Sequence, residues 1–74
     1  MDNFIGIDFE KGTETNLGTT LDEVGTRFGI PSGTFSPANM GHAFTLLFRA
    51  VFMAGYSRLE VRDEDGKKNR VIFG

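Results

Sequence analysis

Residues 37–54 place the strongest limit on the fold, because as a helix they are apolar on nearly every side. A Ser-Pro pair at the start of this segment suits a helix cap and a first turn, where the missing proline N–H costs nothing. At 100° per residue the polar side chains His42, Thr45 and Arg49 share one narrow stripe. The rest of the helix surface is apolar, through Met40, Ala43, Phe44, Leu46, Leu47, Phe48, Ala50, Val51, Phe52, Met53 and Ala54. A helix on one sheet buries a stripe only a little wider than about 100°, so we expect something else to cover part of this surface.

The N-terminal segment predicts a strand. Ile5, Ile7 and Phe9 alternate along residues 4–9, which is typical of a strand. The next ten residues predict a loop, which contains a second strand over residues 13–17 if the chain turns back at a Lys-Gly pair.

A short helix should follow at residues 21–28. The Thr-Leu-Asp-Glu sequence from Thr20 to Glu23 is a capping box, in which the two polar side chains satisfy N–H groups that the first turn leaves unpaired. Gly29 and Pro31 then give the expected stop, since glycine accepts left-handed backbone and proline cannot continue a helix.

The last third of the chain predicts a β-hairpin around an Asp-Gly pair at residues 65–66. A two-residue turn would place Glu60 opposite Val71, whereas a three-residue loop would place it opposite Arg70. We expect the three-residue loop, with Gly66 in the left-handed conformation.

Together these segments predict one α+β domain over residues 1–74, since a chain this short buries enough surface for one core only. The expected architecture is a small antiparallel sheet of three strands, or four with residues 13–17, packed on two helices in the order β-α-α-β-β. The strands are residues 4–9, 58–63 and 68–73, and the helices are residues 21–28 and 37–54.

Composition excludes several classes of function. The chain has no cysteine, which rules out a disulfide or a thiolate metal site. No apolar run approaches the roughly 18 residues of a membrane span, and no basic segment followed by an apolar run opens the chain, so we expect a cytoplasmic protein without membrane contact. A net charge of −2 supplies no general attraction to nucleic acid.

The sequence also lacks a recognisable catalytic constellation. With one histidine and scattered Ser and Thr, no nucleophile, base and orienting group are indicated, and we expect neither an enzyme nor a cofactor. No histidine and carboxylate stand at the i, i+4 spacing of a metal site. His42 is predicted to be a polar surface residue.

The apolar excess of the long helix predicts an interaction surface. Residues on its flanks, Leu46, Phe52 and Met53, should stay exposed in a monomer, with Ala50 and Arg49 beside them. A twofold dimer through this helix is the simplest cover, because a self-complementary patch meets its own copy. The alternative is that the first helix and the glycine loops wrap around the helix and bury all of it.

Residues 20–36, Thr-Leu-Asp-Glu-Val-Gly-Thr-Arg-Phe-Gly-Ile-Pro-Ser-Gly-Thr-Phe-Ser, resemble the helix-turn-helix of bacterial repressors. That resemblance implies a DNA-binding transcriptional regulator in which the C-terminal hairpin is a wing. The phosphate contacts would then come from the basic residues Arg58, Arg62, Lys67, Lys68 and Arg70. Acidic residues interleave with these bases, which is also typical of a solvated edge protected against aggregation.

A smaller candidate is the loop before the long helix. Ser32, Gly33, Thr34 and Ser36 lead into a helix N-terminus, whose free N–H groups and dipole favour an anion. The plainer interpretation is an ordinary helix cap.

From these patterns we predict a small non-enzymatic interaction module that binds a protein partner as an inhibitor or regulator and self-associates. In size and in its missing chemistry it is similar to the accessory proteins of phages and mobile elements. DNA binding is the alternative function.

Overall fold

The computed structural model describes residues 2–74, which form one four-stranded antiparallel sheet and two α-helices. The strands lie side by side in the order β2-β1-β3-β4. The elements are β1 (Asn3–Asp8), β2 (Thr13–Gly18), α1 (Leu21–Arg27), a 3-10 turn (Pro37–Asn39), α2 (Met40–Met53), β3 (Arg58–Arg62) and β4 (Asn69–Phe73).

The predicted α+β class is confirmed, but the order β-α-α-β-β is wrong because two strands precede the helices. The second strand forms because the turn after β1 is strongly specified. Asp8 Oδ1 accepts from the backbone N–H groups of Glu10 and Lys11, at 3.0 and 3.1 Å. Gly12 donates to the Asp8 carbonyl at 2.8 Å and adopts a φ of +68°. This turn returns the chain alongside β1.

The predicted register of the C-terminal hairpin is also wrong. Glu60 lies opposite Val71, not Arg70, although Gly66 has the expected left-handed φ of +70°. The reason is the Asp63 carboxylate, which accepts from the backbone N–H groups of Lys67 and Lys68 and so draws the chain into a longer turn.

The two helices cover one side of the sheet. Because paired residues point to the same side, Phe4 with Val61 and Gly6 with Leu59 lie on the helix-facing side. Tyr56 lies so close over Gly6 that a Cβ at Gly6 would be 2.8 Å from its ring. The buried core consists of Phe4, Leu17, Val24, Ile30, Leu47, Val51, Leu59 and Val61.

The helix boundaries follow the sequence signals closely. Thr20 Oγ1 accepts from the Glu23 N–H at 3.1 Å, so the predicted cap of α1 is formed. The Glu23 carboxylate accepts instead from Thr19, through its N–H and its hydroxyl. The predicted long helix begins with the 3-10 turn at Pro37, and its α-helical part runs from Met40 to Met53.

Within residues 2–74, no helix has the length and apolar character needed to cross a membrane.

Candidate protein-binding surfaces

The last two turns of α2 carry the most exposed large apolar residues that the structure describes. Met53 is 80% exposed and Phe52 is 67% exposed, and exposed Arg49 lies one turn earlier at the i, i+3 and i, i+4 spacing. Half-buried Leu46 and Ala50 adjoin them. We call these five residues the α2 surface.

The position of α2 on the sheet explains why these residues face solvent. Ala43, Leu47 and Val51 form its buried stripe. Phe48 contacts Phe73 of β4, with ring centroids 4.9 Å apart, which fixes one flank of the helix over that edge strand. By helical geometry, Leu46, Ala50 and Met53 occupy the opposite flank, while Phe52 extends past the Phe48 flank towards solvent.

The expectation of exposed flanks therefore applies to part of the helix. Phe52 and Met53 are exposed, whereas Leu46 packs against the core cluster. Within residues 2–74, nothing covers Phe52 and Met53 in the way that the alternative of a fully wrapped helix requires.

The side of the sheet away from the helices is a second uncovered surface. Pairing places Ile5 beside Glu60 and Ile7 beside Arg58 on this side, which we call the open face. Its residues are Asn3, Ile5, Ile7, Glu14, Asn16, Arg58, Glu60, Arg62, Asn69 and Val71, with Phe9 at the end of β1.

Charged side chains lie over the apolar part of the open face. Arg62 donates from Nη1 and Nη2 to both oxygens of Glu14, at 2.8 and 2.9 Å, and from Nε to Glu60 at 3.1 Å. Since β1 lies between β2 and β3, the Arg62 side chain crosses above β1 to reach Glu14. Glu60 is 7% exposed, and its second oxygen accepts from Arg58 at 3.3 Å.

The contact between Glu14 and Arg62 shifts the pKa values of both groups. The hydrogen bonds from Arg62 hold the pKa of Glu14 below its usual value, and those to Glu14 raise the pKa of Arg62. Glu14 and Arg62 are therefore both ionised at neutral pH.

Arg58 is less well satisfied than Arg62. Its guanidinium lies 4.9 Å from the ring centroid of Phe9, which is 55% exposed. Nη2 has only a 3.5 Å contact to the Gly74 backbone oxygen. Nε is buried, and no acceptor within residues 2–74 hydrogen-bonds to it.

The basic residues of the predicted nucleic-acid surface do not share one face. Arg58 and Arg62 lie on the open face and pair with carboxylates. Arg70 lies opposite Val61, which places it on the other side of the sheet. Lys67 and Lys68 are in the exposed hairpin turn around Asp63.

The predicted anion-binding loop is occupied by its own contacts. Gly33 donates its N–H to the Asp22 carboxylate at 3.3 Å, which places a negative charge where an anion would bind. Thr34 donates from its N–H and hydroxyl to the Pro31 carbonyl. Ser36 precedes the 3-10 turn without a capping hydrogen bond from its side chain. This geometry favours an ordinary loop over an anion site.

The structure also places the remaining residues considered for catalysis and metal binding. His42 is exposed on the solvent side of α2, as expected for a polar surface residue. Among residues 2–74, no three His, Cys, Asp or Glu side chains are grouped to hold a metal ion. Two shallow depressions, of about 260 and 470 Å³, lie at the C-terminal hairpin and between β2 and α1. Neither lining contains His42.

Sequence reasoning missed the open face as a unit. The signal was present as two period-two patterns, Ile5-Ile7-Phe9 in β1 and Arg58-Glu60-Arg62 in β3. Only the pairing of the two strands shows that these patterns share one side.

No protein-family model, curated protein or solved structure matches this chain.

Proposed function

We propose that this chain is a non-enzymatic protein-interaction module that self-associates through the α2 surface and acts on a protein partner as an inhibitor or regulator. The observation that carries the proposal is the exposure of Phe52 and Met53 on either side of Arg49 at the end of α2. Contiguous exposed apolar patches are a common feature of interaction sites in soluble proteins, which supports this assignment.

A second copy of the chain is the simplest occupant of the part of this surface formed by Leu46, Arg49, Ala50 and Met53. In an antiparallel twofold contact centred between Arg49 and Ala50, Met53 meets Leu46 of the copy and Arg49 meets Ala50. The small Ala50 side chain permits close approach of the two helices. The two Arg49 guanidinium groups would then lie on the same solvent-facing rim near the twofold axis, where water and salt screen their repulsion.

The α2 surface is small compared with the roughly 800 Å² per partner that stable complexes bury. We therefore expect a reversible dimer with a dissociation constant in the micromolar range. Such a weak contact leaves room for a partner protein to compete for the same residues.

Molar mass in solution, measured by light scattering across a concentration series, tests the proposal. The native chain should shift from monomer towards dimer with concentration, and Met53→Glu should remain a folded monomer. Ala38→Glu is the matched control, because Ala38 is exposed at the opposite end of the same helical segment. A native chain that stays monomeric at millimolar concentration, or a Met53→Glu variant that dimerises like the native chain, would refute self-association through α2.

A further inference from the structure

The Arg58–Phe9 pair on the open face has the features of a recognition site that is separate from the α2 surface. The open face carries two arginines and no lysine, together with Ile5, Ile7 and Val71. Arginine and aromatic residues are enriched in protein interfaces, and lysine is depleted.

The carboxylates of this face are already paired, whereas Arg58 has donors without a good acceptor. Both oxygens of Glu60 and both oxygens of Glu14 already accept from arginine. Arg58 uses only Nη1 in a pair with a carboxylate, at 3.3 Å. Nε of Arg58 has no acceptor, and Nη2 has one long contact. These two atoms lie on the same edge of the guanidinium group. This edge can bind a carboxylate through two parallel hydrogen bonds.

We infer that Arg58 and Phe9 bind an acidic side chain of a partner protein, presented in a segment with apolar neighbours. The carboxylate would accept from Nη2 and Nε, and an adjacent apolar side chain would pack on the exposed ring of Phe9. Since Nε is buried in the unbound protein, the outer part of Arg58 must turn towards solvent on binding. A second copy does not fit this site through its own open face, because the carboxylates there are already paired.

The test uses the tripeptide N-acetyl-Leu-Glu-Leu-amide and NMR detection of the arginine Nε–H resonances and the Phe9 amide. The Arg58 resonance should shift saturably with millimolar peptide, and the Arg62 resonance should shift much less. N-acetyl-Leu-Gln-Leu-amide should bind at least tenfold more weakly, because it has the same shape without the charge.

Variants separate bidentate recognition from general charge attraction. Arg58→Lys keeps the charge but lacks the planar edge, so the Phe9 amide should report at least fivefold weaker binding. Arg70→Lys, on the other side of the sheet, should bind like the native chain. Met53→Glu should also bind normally, which distinguishes failure here from failure of the α2 proposal.

Several results would overturn the inference. These are equal binding of the Glu and Gln peptides, unchanged binding by Arg58→Lys, and equal shifts at Arg58 and Arg62. A single-stranded oligonucleotide that shifts Arg58 at lower concentration than the peptide would assign the site to phosphate instead.

Discussion

The helix-facing side of the sheet and its open face both carry large apolar residues, yet they are shielded from water in different ways. On the helix-facing side, Leu59 is completely buried against a core that includes Leu47 and Val51. On the open face, Ile7 is 9% exposed although no helix covers it. Its shielding comes from neighbouring strands and from long charged side chains, whose alkyl parts cover apolar surface while their charged ends stay near water. A two-layer fold of this size can therefore protect its second sheet face with an ionic network.

The largest expected change in stability comes from truncating one apolar residue on each side of the sheet. Leu59→Ala should lower the free energy of unfolding by about 3 kcal/mol, because it leaves a cavity in a closely packed core. Ile5→Ala, on the open face, should cost about 1 kcal/mol, since Ile5 is only half-buried and its surroundings can collapse. Urea denaturation of both variants measures the difference. Equal losses would mean that the open face is packed as tightly as the core.

The same contrast explains how far the sequence could predict this fold. The capping box at Thr20 and the apolar stripe of α2 are local signals, and both helices form where those signals lie. β1 is apolar at Phe4 and also at Ile5 and Ile7, so its pattern alone does not tell which side meets the helices. That choice depends on pairing with β3, a contact between distant parts of the chain.

The features that the sequence did not predict depend on contacts that local patterns do not indicate. The hairpin register depends on the Asp63 side chain, which extends the turn beyond what the Asp-Gly pair suggests. Of the candidate sites, the exposed end of α2 could be predicted from helical periodicity, because the position of a residue around a single helix decides whether it faces solvent. The ion network of the open face joins Arg62 to Glu14, residues 48 positions apart, and no local pattern indicates such a pair.

Neutralising the centre of the network tests the ionic shielding. Glu60→Gln should lower the free energy of unfolding by about 1–2 kcal/mol, because it removes the charge of a largely buried group and replaces one of its two acceptor oxygens with an NH2 donor that faces an arginine. Glu10→Gln, in the exposed turn after β1, should change it by less than about 0.5 kcal/mol. Denaturation midpoints at low salt provide the measurement. A Glu60→Gln variant as stable as the native chain would show that packing alone protects Ile5 and Ile7.

The smallest expected effect is a pH dependence of folding stability. The open face should show this dependence, and the apolar core should not. The pKa of Glu14 is lowered in the folded protein by its hydrogen bonds to Arg62, so folding favours the ionised form. This contribution to stability is present above the unfolded-state pKa, near 4.5, and is lost as the pH falls through the lower folded-state value. Glu14→Gln should therefore be less stable than the native chain at pH 7, and the difference should shrink towards pH 3.

Glu23 provides the internal comparison for this measurement. Its pKa is lowered mainly by the Thr19 N–H, which belongs to the cap of α1 and not to the open face. Glu23→Gln should show the same sign of pH dependence, but 0.5 M salt should leave more of its effect in place, because a hydrogen bond to the backbone is screened less than the exposed Arg62–Glu14 pair. Thermal unfolding at pH 7 and pH 3, each at low salt and in 0.5 M salt, distinguishes the contribution of Glu14 from that of Glu23. If salt removes neither effect, the Arg62–Glu14 contact acts through its hydrogen bonds rather than through its charge.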